Sequence, residues 1–175
     1  SGHKMLGPTG IGVLYGRFDL LDQMKPIEFG GDMALDVMKD QFSWKETPIK
    51  FESGTMPIAE VFGLKAAIDY INNISFEVMH TYTSNLYQYL MDKLRTIDGL
   101  DLYNIQSDTC IFTFNLSRVP SHDAISFFSE HNIALRAGQH CAKLIHDFLG
   151  INSSLRGPIY FYNTYEDVDV LVETI

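Results

Sequence analysis

Basic residues are scarce in this chain, cysteines scarcer, and long apolar runs are missing altogether; each shortage removes a class of function. Lysine and arginine number 13 against 22 aspartates and glutamates, leaving a formal net charge of -9 at pH 7. Proteins that grip nucleic acid neutralise its phosphates with clustered cations, so this acid excess argues against nucleic acid as the principal partner. No stretch approaches the roughly 20 apolar residues of a membrane-crossing helix, and no membrane association is expected. Two cysteines, Cys110 and Cys141, cannot build a disulfide framework. They fit a reducing compartment where a lone thiol stays free, and a cytoplasmic location is expected. Internal repeats and low-complexity stretches are lacking too. Ser1-Gly2-His3-Lys4 carries neither an initiator methionine nor signal-peptide character, and Ile175 falls inside an unfinished helical pattern. The chain is therefore expected to be cut from something longer.

What is present is a globular balance, 46% hydrophobic and 20% charged over 175 residues, enough for one ordinary domain or two small ones. Ile11-Gly12-Val13-Leu14-Tyr15 is a short apolar run bounded by glycines and predicts a buried strand. From Phe18 to about Phe51 the pattern is irregular, with Gly30-Gly31 marking a turn or a close backbone approach. Val61, Leu64, Ile68 and Ile71 recur at helical spacing. Ser75 can cap a second helix, with Glu77 in its first turn and Phe76, Met79, Leu86, Leu90 and Leu94 as its apolar stripe. After Asp98-Gly99 the character changes. Cys110, Phe112, Phe114 and Leu116 alternate with Ile111, Thr113 and Asn115, the period of a strand. Pro120-Ser121 opens a helix with Ile125 and Phe128 inward. Ile133-Ala134-Leu135 and Ile159 to Tyr162 are strand candidates. Thr164-Tyr165-Glu166-Asp167 has the form of a capping box ahead of Val168, Leu171, Val172 and Ile175.

Four segments could carry chemistry. A lysine that condenses with a carbonyl cofactor must be held rigidly and lose its proton well below the ordinary value of about 10.4, and Lys4 has hydroxyl and imidazole neighbours able to hold a phosphate beside it. The plain alternative is one of 13 basic residues at a frayed terminus. Gly7-Pro8-Thr9-Gly10-Ile11-Gly12 precedes the expected strand instead of following it, so it reads as a tight turn and not as a dinucleotide fingerprint. In Phe51-Glu52-Ser53-Gly54-Thr55, Gly54-Thr55 can offer a backbone N–H and a hydroxyl to a phosphate, or can simply lead into the helix that starts near Ile58. Arg136-Ala137-Gly138-Gln139-His140-Cys141-Ala142 combines a glycine that frees the loop, an arginine suited to a carboxylate and a thiol that neighbouring cations can activate. Cys141 as a small core residue beside a surface histidine is the competing view. Cys110 sits in a strand alternation and reads as structural. His140, Cys141 and His146 lack the spacing of a closed zinc site. Arg156 could clamp a carboxylate or be an interface charge.

The succession S-G-H-K, G-P-T-G-I-G-V-L-Y, F-E-x-G-T, R-A-G-Q-H-C-A, L-R-G and Y-N-T-x-E-D-V-D resembles the class V aminotransferase family through practically the whole chain. Within it, the short R-x-G-x-H-C-A loop is similar to that of Suf-type cysteine desulfurases. The resemblance implies the pyridoxal-phosphate (PLP) fold type I, with α/β and α+β parts. Residues 1–95 would be the remainder of the large PLP-binding domain with a linking helix, and 96–175 a small C-terminal α+β domain, incomplete at its end. It implies pyridoxal 5'-phosphate as cofactor, Lys4 as the lysine that binds it, and Ser1 and His3 on its phosphate. Gly54 and Thr55 would reach the phosphate of the partner subunit's cofactor in a homodimer. Cys141 would take sulfur from L-cysteine as a persulfide, releasing alanine, with Arg156 on the substrate carboxylate and Arg136 anchoring the loop. A sulfur-acceptor scaffold and iron–sulfur cluster assembly are implied as partner and process.

The chain departs from the family pattern in places. Gln139 replaces a histidine, Leu144-Ile145 stand where proline is expected, Met56-Pro57 where asparagine is common, and Gly157-Pro158 follow Arg156. The family's aspartate for the pyridine nitrogen and its ring-stacking residue lie upstream of the lysine, outside this chain. The isolated polypeptide is therefore expected to be inactive and to bind PLP poorly. Two other readings stand beside the first: a selenocysteine lyase or other class V lyase, and a non-catalytic fragment or docking module, for which His122 matches a histidine near the acceptor-docking face of some relatives.

Overall fold

The apolar spacings around 61–71 and 76–94 both fold as helices, and the computed structural model, which describes residues 1–175, divides between them. One unit is Ser1–Ile74 and the other Ser75–Ile175. No helix is long and apolar enough to cross a membrane.

The first unit begins with a 3-10 turn, Gly2–Lys4, followed by α1 (Phe18–Gln23), an antiparallel hairpin of β1 (Ala34–Val37) and β2 (Phe42–Trp44), a second 3-10 turn (Ile49–Phe51) and α2 (Ile58–Ile74). Helix α2 buries Leu64, Ala67 and Ile71. Val61 and Ile68, expected on that face, are exposed instead. The strand expected at Ile11–Tyr15 does not form. A buried strand needs a ladder on its flanks and cover on its faces, and Val13, Leu14 and Tyr15 are 78% to 92% exposed. The stretch read as irregular holds α1 and the hairpin, whose strands of four and three residues are too short to reveal an alternation. Gly30-Gly31 does mark a close approach: Gly54 N donates to Gly31 O at 2.8 Å.

The second unit comprises α3 (Phe76–Leu94), β3 (Leu100–Leu102), β4 (Ile111–Leu116), α4 (Ser121–Glu130), β5 (Arg136–Gly138), α5 (Lys143–Leu149), β6 (Ser154–Pro158) and α6 (Tyr165–Thr174). Its sheet runs β3-β4-β6-β5 with every pair antiparallel. Leu86, Leu90 and Leu94 of α3 join Phe112, Phe114, Phe128, Leu155 and Val168 in one core, so α3 packs as part of this unit, not as the trailing helix of the first. The Phe112 and Phe114 rings stack at 5.8 Å, and Phe128 meets Phe114 edge-on at 6.1 Å. Helices α3 and α6 are joined by Tyr89 and Lys93, each 2.8 Å from the Asp169 carboxylate.

The capping box foreseen at Thr164 is complete, Thr164 Oγ1 and the Asp167 carboxylate each accepting the other's backbone N–H. Ser75 does stand at the head of α3, but with φ 78° and no capping bond from its hydroxyl. Two strands lie elsewhere than expected. The chain pairs at Arg136–Gly138, just after Ile133–Leu135, and at Ser154–Pro158, just before Ile159–Tyr162. In both cases the longer apolar run flanks the strand, while its paired positions mix arginine, serine and glycine with Ala137 and Leu155. At Gly157 a larger residue has no room: an added Cβ would lie 2.5 Å from Phe112 Cζ. Gly157→Ala is expected to destabilise the second unit by about 1–3 kcal/mol through overpacking, measurable as a drop in thermal unfolding temperature.

Candidate active site

In the first unit, glycines shape the turn that carries Lys4. Gly2 N donates to Ile11 O at 2.8 Å, and Gly2 O accepts from Met5 N at 3.0 Å and Gly7 N at 2.9 Å. An added Cβ would sit 2.9 Å from Gly2 O at Gly7 and 2.9 Å from Pro8 Cγ at Gly63, so the loop folds back on the turn and packs on α2. Ser1, His3 and Lys4 remain exposed on a backbone that is internally tied. Further along, Gly54 takes φ 77°, a left-handed conformation that costs glycine little. Its N–H is already given to Gly31 O, so the groups left to offer a phosphate are the exposed Thr55 hydroxyl and backbone. The approach to this segment is pinned by Lys50, 2% exposed, whose Nζ donates to Asp22 O at 2.7 Å and lies 5.2 Å from the Phe51 ring centre. Nothing in the sequence pattern singled out Lys50.

In the second unit, the register sets Arg136 of β5 directly opposite Arg156 of β6. The chain leaves β5 at Gly138 and enters a turn in which Ala142 N donates to Gln139 O at 2.8 Å. His140 and Cys141 both have left-handed φ, 54° and 59°. Two consecutive non-glycine residues in that region cost on the order of 1 kcal/mol each, so the surroundings must hold them there. Cys141 is exposed. His140 Nε2 donates to Ser154 O at 3.0 Å, and its buried Nδ1 has no hydrogen-bond partner. Burial, then the nearby Arg156, holds the His140 imidazole below its ordinary pKa, partly offset by the Ser154 carbonyl. The shift favours the neutral form of the ring. His146 is buried, with Nδ1 donating to Ala142 O at 3.0 Å and Nε2 accepting from Ser154 Oγ at 3.1 Å. Cys110 is half-buried beside the core, where desolvation pushes its thiol up. His122 is in the first turn of α4 and exposed.

The expected residues thus gather in two groups. Ser1, His3, Lys4, Gly54 and Thr55 belong to the first unit, and Arg136, Cys141 and Arg156 to the second, where the β5–β6 register sets Arg136 opposite Arg156. Residues 1–171 match the aminotransferase class V family. The chain belongs to that family. It is 46% identical to a probable cysteine desulfurase of Staphylococcus epidermidis and 44% identical to one of Staphylococcus aureus, each alignment covering 100% of this chain and 43% of the relative. Among solved structures, a cysteine desulfurase CsdA (S-sulfonic acid) of Escherichia coli superposes with a TM-score of 0.93 at 38% identity, over 99% of this chain and 43% of that one. An apo cysteine desulfurase of Thermococcus onnurineus NA1 gives 0.92 at 33% identity, over 99% and 44%. The chain therefore spans less than half the length of these class V relatives, and its fold is that of PLP fold type I. The donor set of the first unit fits PLP: an exposed lysine amine outside every ion pair for the aldehyde, and hydroxyls and an imidazole for the phosphate.

Proposed function

We propose that this class V protein is a PLP-dependent cysteine desulfurase, taking sulfur from L-cysteine onto Cys141 and releasing L-alanine. One observation carries the reading: an exposed thiol stands on a strained turn leaving the strand that sets Arg136 against Arg156. The 44% to 46% identity to probable cysteine desulfurases supports it.

Lys4, Ser1 and His3 are the residues that would hold the cofactor, Lys4 at its aldehyde. When bound, PLP supplies an electron sink that loosens the bonds of the amino acid it carries. The chain's own residues do the rest. Arg156 binds the substrate carboxylate by paired N–H donors, with Arg136 beside it adding positive charge and anchoring the loop. Lys4 Nζ is the amine able to carry protons between substrate carbons. Cys141 Sγ forms the new S–S bond as the substrate's C–S bond breaks. Thiol plus cysteine thus gives persulfide plus alanine, and no external oxidant is needed. The two compact units separate these duties, cofactor attachment in one and sulfur capture in the other.

The short loop from Arg136 to Ala142 supports the Suf-type reading, in which the persulfide passes to a sulfur-acceptor scaffold for iron–sulfur cluster assembly in the cytoplasm. A homodimer would let Gly54-Thr55 serve the partner subunit's cofactor, and the units Ser1–Ile74 and Ser75–Ile175 would correspond to the end of the large domain and to the small domain with its leading helix. Alanine formed from cysteine by the PLP-loaded protein, expressed at the full length of its relatives so that the upstream cofactor contacts are present, tests the activity. Its absence, with cofactor bound, would contradict it. Arg156→Ala is expected to raise KM for cysteine by about ten- to a hundredfold, the worth of a charge-assisted hydrogen bond, measured in the same assay. Arg156→Lys should recover only part of that loss, because an ammonium cannot form the bidentate pair.

A further inference from the structure

Two histidines flank the nucleophile, and neither has a part in the bond-making just described. Both converge on one residue of β6. Ser154 is 0% exposed and His146 4% exposed. The Ser154 carbonyl receives the His140 Nε2–H at 3.0 Å, and its hydroxyl donates to His146 Nε2 at 3.1 Å. His146 Nδ1 donates to the carbonyl of Ala142, the residue after the thiol, at 3.0 Å. Facing a carbonyl, Nδ1 must carry a hydrogen, and Nε2 is left to accept from the serine. Ser154 also faces Gly138 across the β5–β6 pair, at the point where the loop departs. The segment that carries Cys141 is therefore tied before and after the thiol to a single buried serine.

The ties oppose a definite tendency. His140 and Cys141, at φ 54° and 59°, are held where ordinary side chains rarely rest, and an untied loop would relax toward right-handed or extended backbone. Such a relaxation rotates the Cβ of Cys141 to another side of the chain. A nucleophile must meet its target sulfur near 3 to 3.5 Å and in line, so a loop that samples several directions spends little time reactive.

We infer that His146 and Ser154 are positioning residues for the nucleophile, a buried polar clamp that holds the Cys141 turn in its left-handed form. This rests on Cys141 being the sulfur acceptor. Neither clamp residue touches substrate in this role. Recognition of the substrate carboxylate by Arg156 is separate, so loss of the clamp slows sulfur capture without weakening cysteine binding.

The test uses the PLP-loaded protein at the full length of its relatives and reads two quantities, steady-state alanine formation and amide hydrogen exchange across residues 139–142. His146→Leu is expected to lower kcat by about tenfold with KM for cysteine within about twofold, and to speed exchange at Cys141 and Ala142. His146→Gln, whose amide can both donate and accept, should regain part of kcat and of the protection. If His146→Leu does not fold, Ser154→Ala serves in its place. It keeps the carbonyl that holds His140 and should show a smaller loss, again confined to kcat, with faster exchange. Unchanged kcat and unchanged exchange in the folded variants overturn the inference, as does a loss carried by KM alone. Cys141→Ala is run alongside: if desulfuration survives it, the reading of the site fails, and the exchange data alone still report on whether the clamp holds the loop.

Discussion

Replacing Cys141 with alanine is expected to cut alanine formation from cysteine by roughly a thousandfold or more in the PLP-loaded protein, while the cofactor stays bound. The size follows from the chemistry. Removing a covalent nucleophile leaves only the contributions of binding and the cofactor, and losses of this order or greater are usual for such groups. Cofactor retention is expected because the residues proposed to hold PLP belong to the unit Ser1–Ile74, and Cys141 belongs to the other. Cys141→Ser should be as inactive as Cys141→Ala, because a hydroxyl is far less nucleophilic toward sulfur. Selenocysteine separates the main reading from its nearest rival. Selenium leaves more readily than sulfur, so a lyase that does not need the thiol would still process selenocysteine after the substitution. Survival of both activities would return Cys141 to the status of a surface thiol.

The second large effect is expected at Lys4. Lys4→Ala should remove the absorbance of covalently attached cofactor and lower turnover by about a thousandfold or more. Lys4→Arg provides the control for charge, since it keeps a cation on the same turn but cannot condense with an aldehyde. Equal losses in the two variants point to the amine itself. A Lys4→Arg protein that keeps both absorbance and turnover would show that the position supplies only positive charge. The turn around Lys4 makes a related demand. At Gly7 an added Cβ would meet the Gly2 carbonyl oxygen at 2.9 Å, a backbone atom that cannot step aside without moving the turn. Gly7→Ala should therefore weaken cofactor retention without touching any donor.

Much of this was legible in the sequence where a single periodicity or motif carried the information. The stripe Leu86–Leu90–Leu94, the alternation Phe112–Phe114 and the Thr164 capping box each depend on neighbours in the chain, and each is found as read. Elements whose identity depends on distant neighbours were harder. Ile11–Tyr15 has the composition of a buried strand, but composition cannot supply the flanking strands that make one, and the segment lies exposed. Strands β5 and β6 were displaced by a few residues because arginine, serine and glycine interrupt their paired positions around Ala137 and Leu155, while the longer apolar runs lie just outside.

The candidate site divides in the same way. Lys4, Thr55, Cys141, Arg136 and Arg156 were each ambiguous by residue type and stood out only through the succession of motifs that resembles the family, and the β5–β6 register places Arg136 opposite Arg156. Gly54 was read as a phosphate donor, yet its N–H is engaged with Gly31 O and its part is conformational. The clamp was invisible. His146 was weighed only as a metal ligand and Ser154 not at all, since a serine becomes informative only when two imidazoles are found on it.

The most direct measurement is the mass of the peptide containing Cys141, taken after the PLP-loaded protein has met L-cysteine and free thiols have been alkylated without reduction. One added sulfur atom is expected on Cys141, none on Cys110, and no addition anywhere in the Lys4→Ala protein. Alanine released while Cys141 remains a plain thiol, or sulfur found on Cys110 instead, would contradict the proposed reaction.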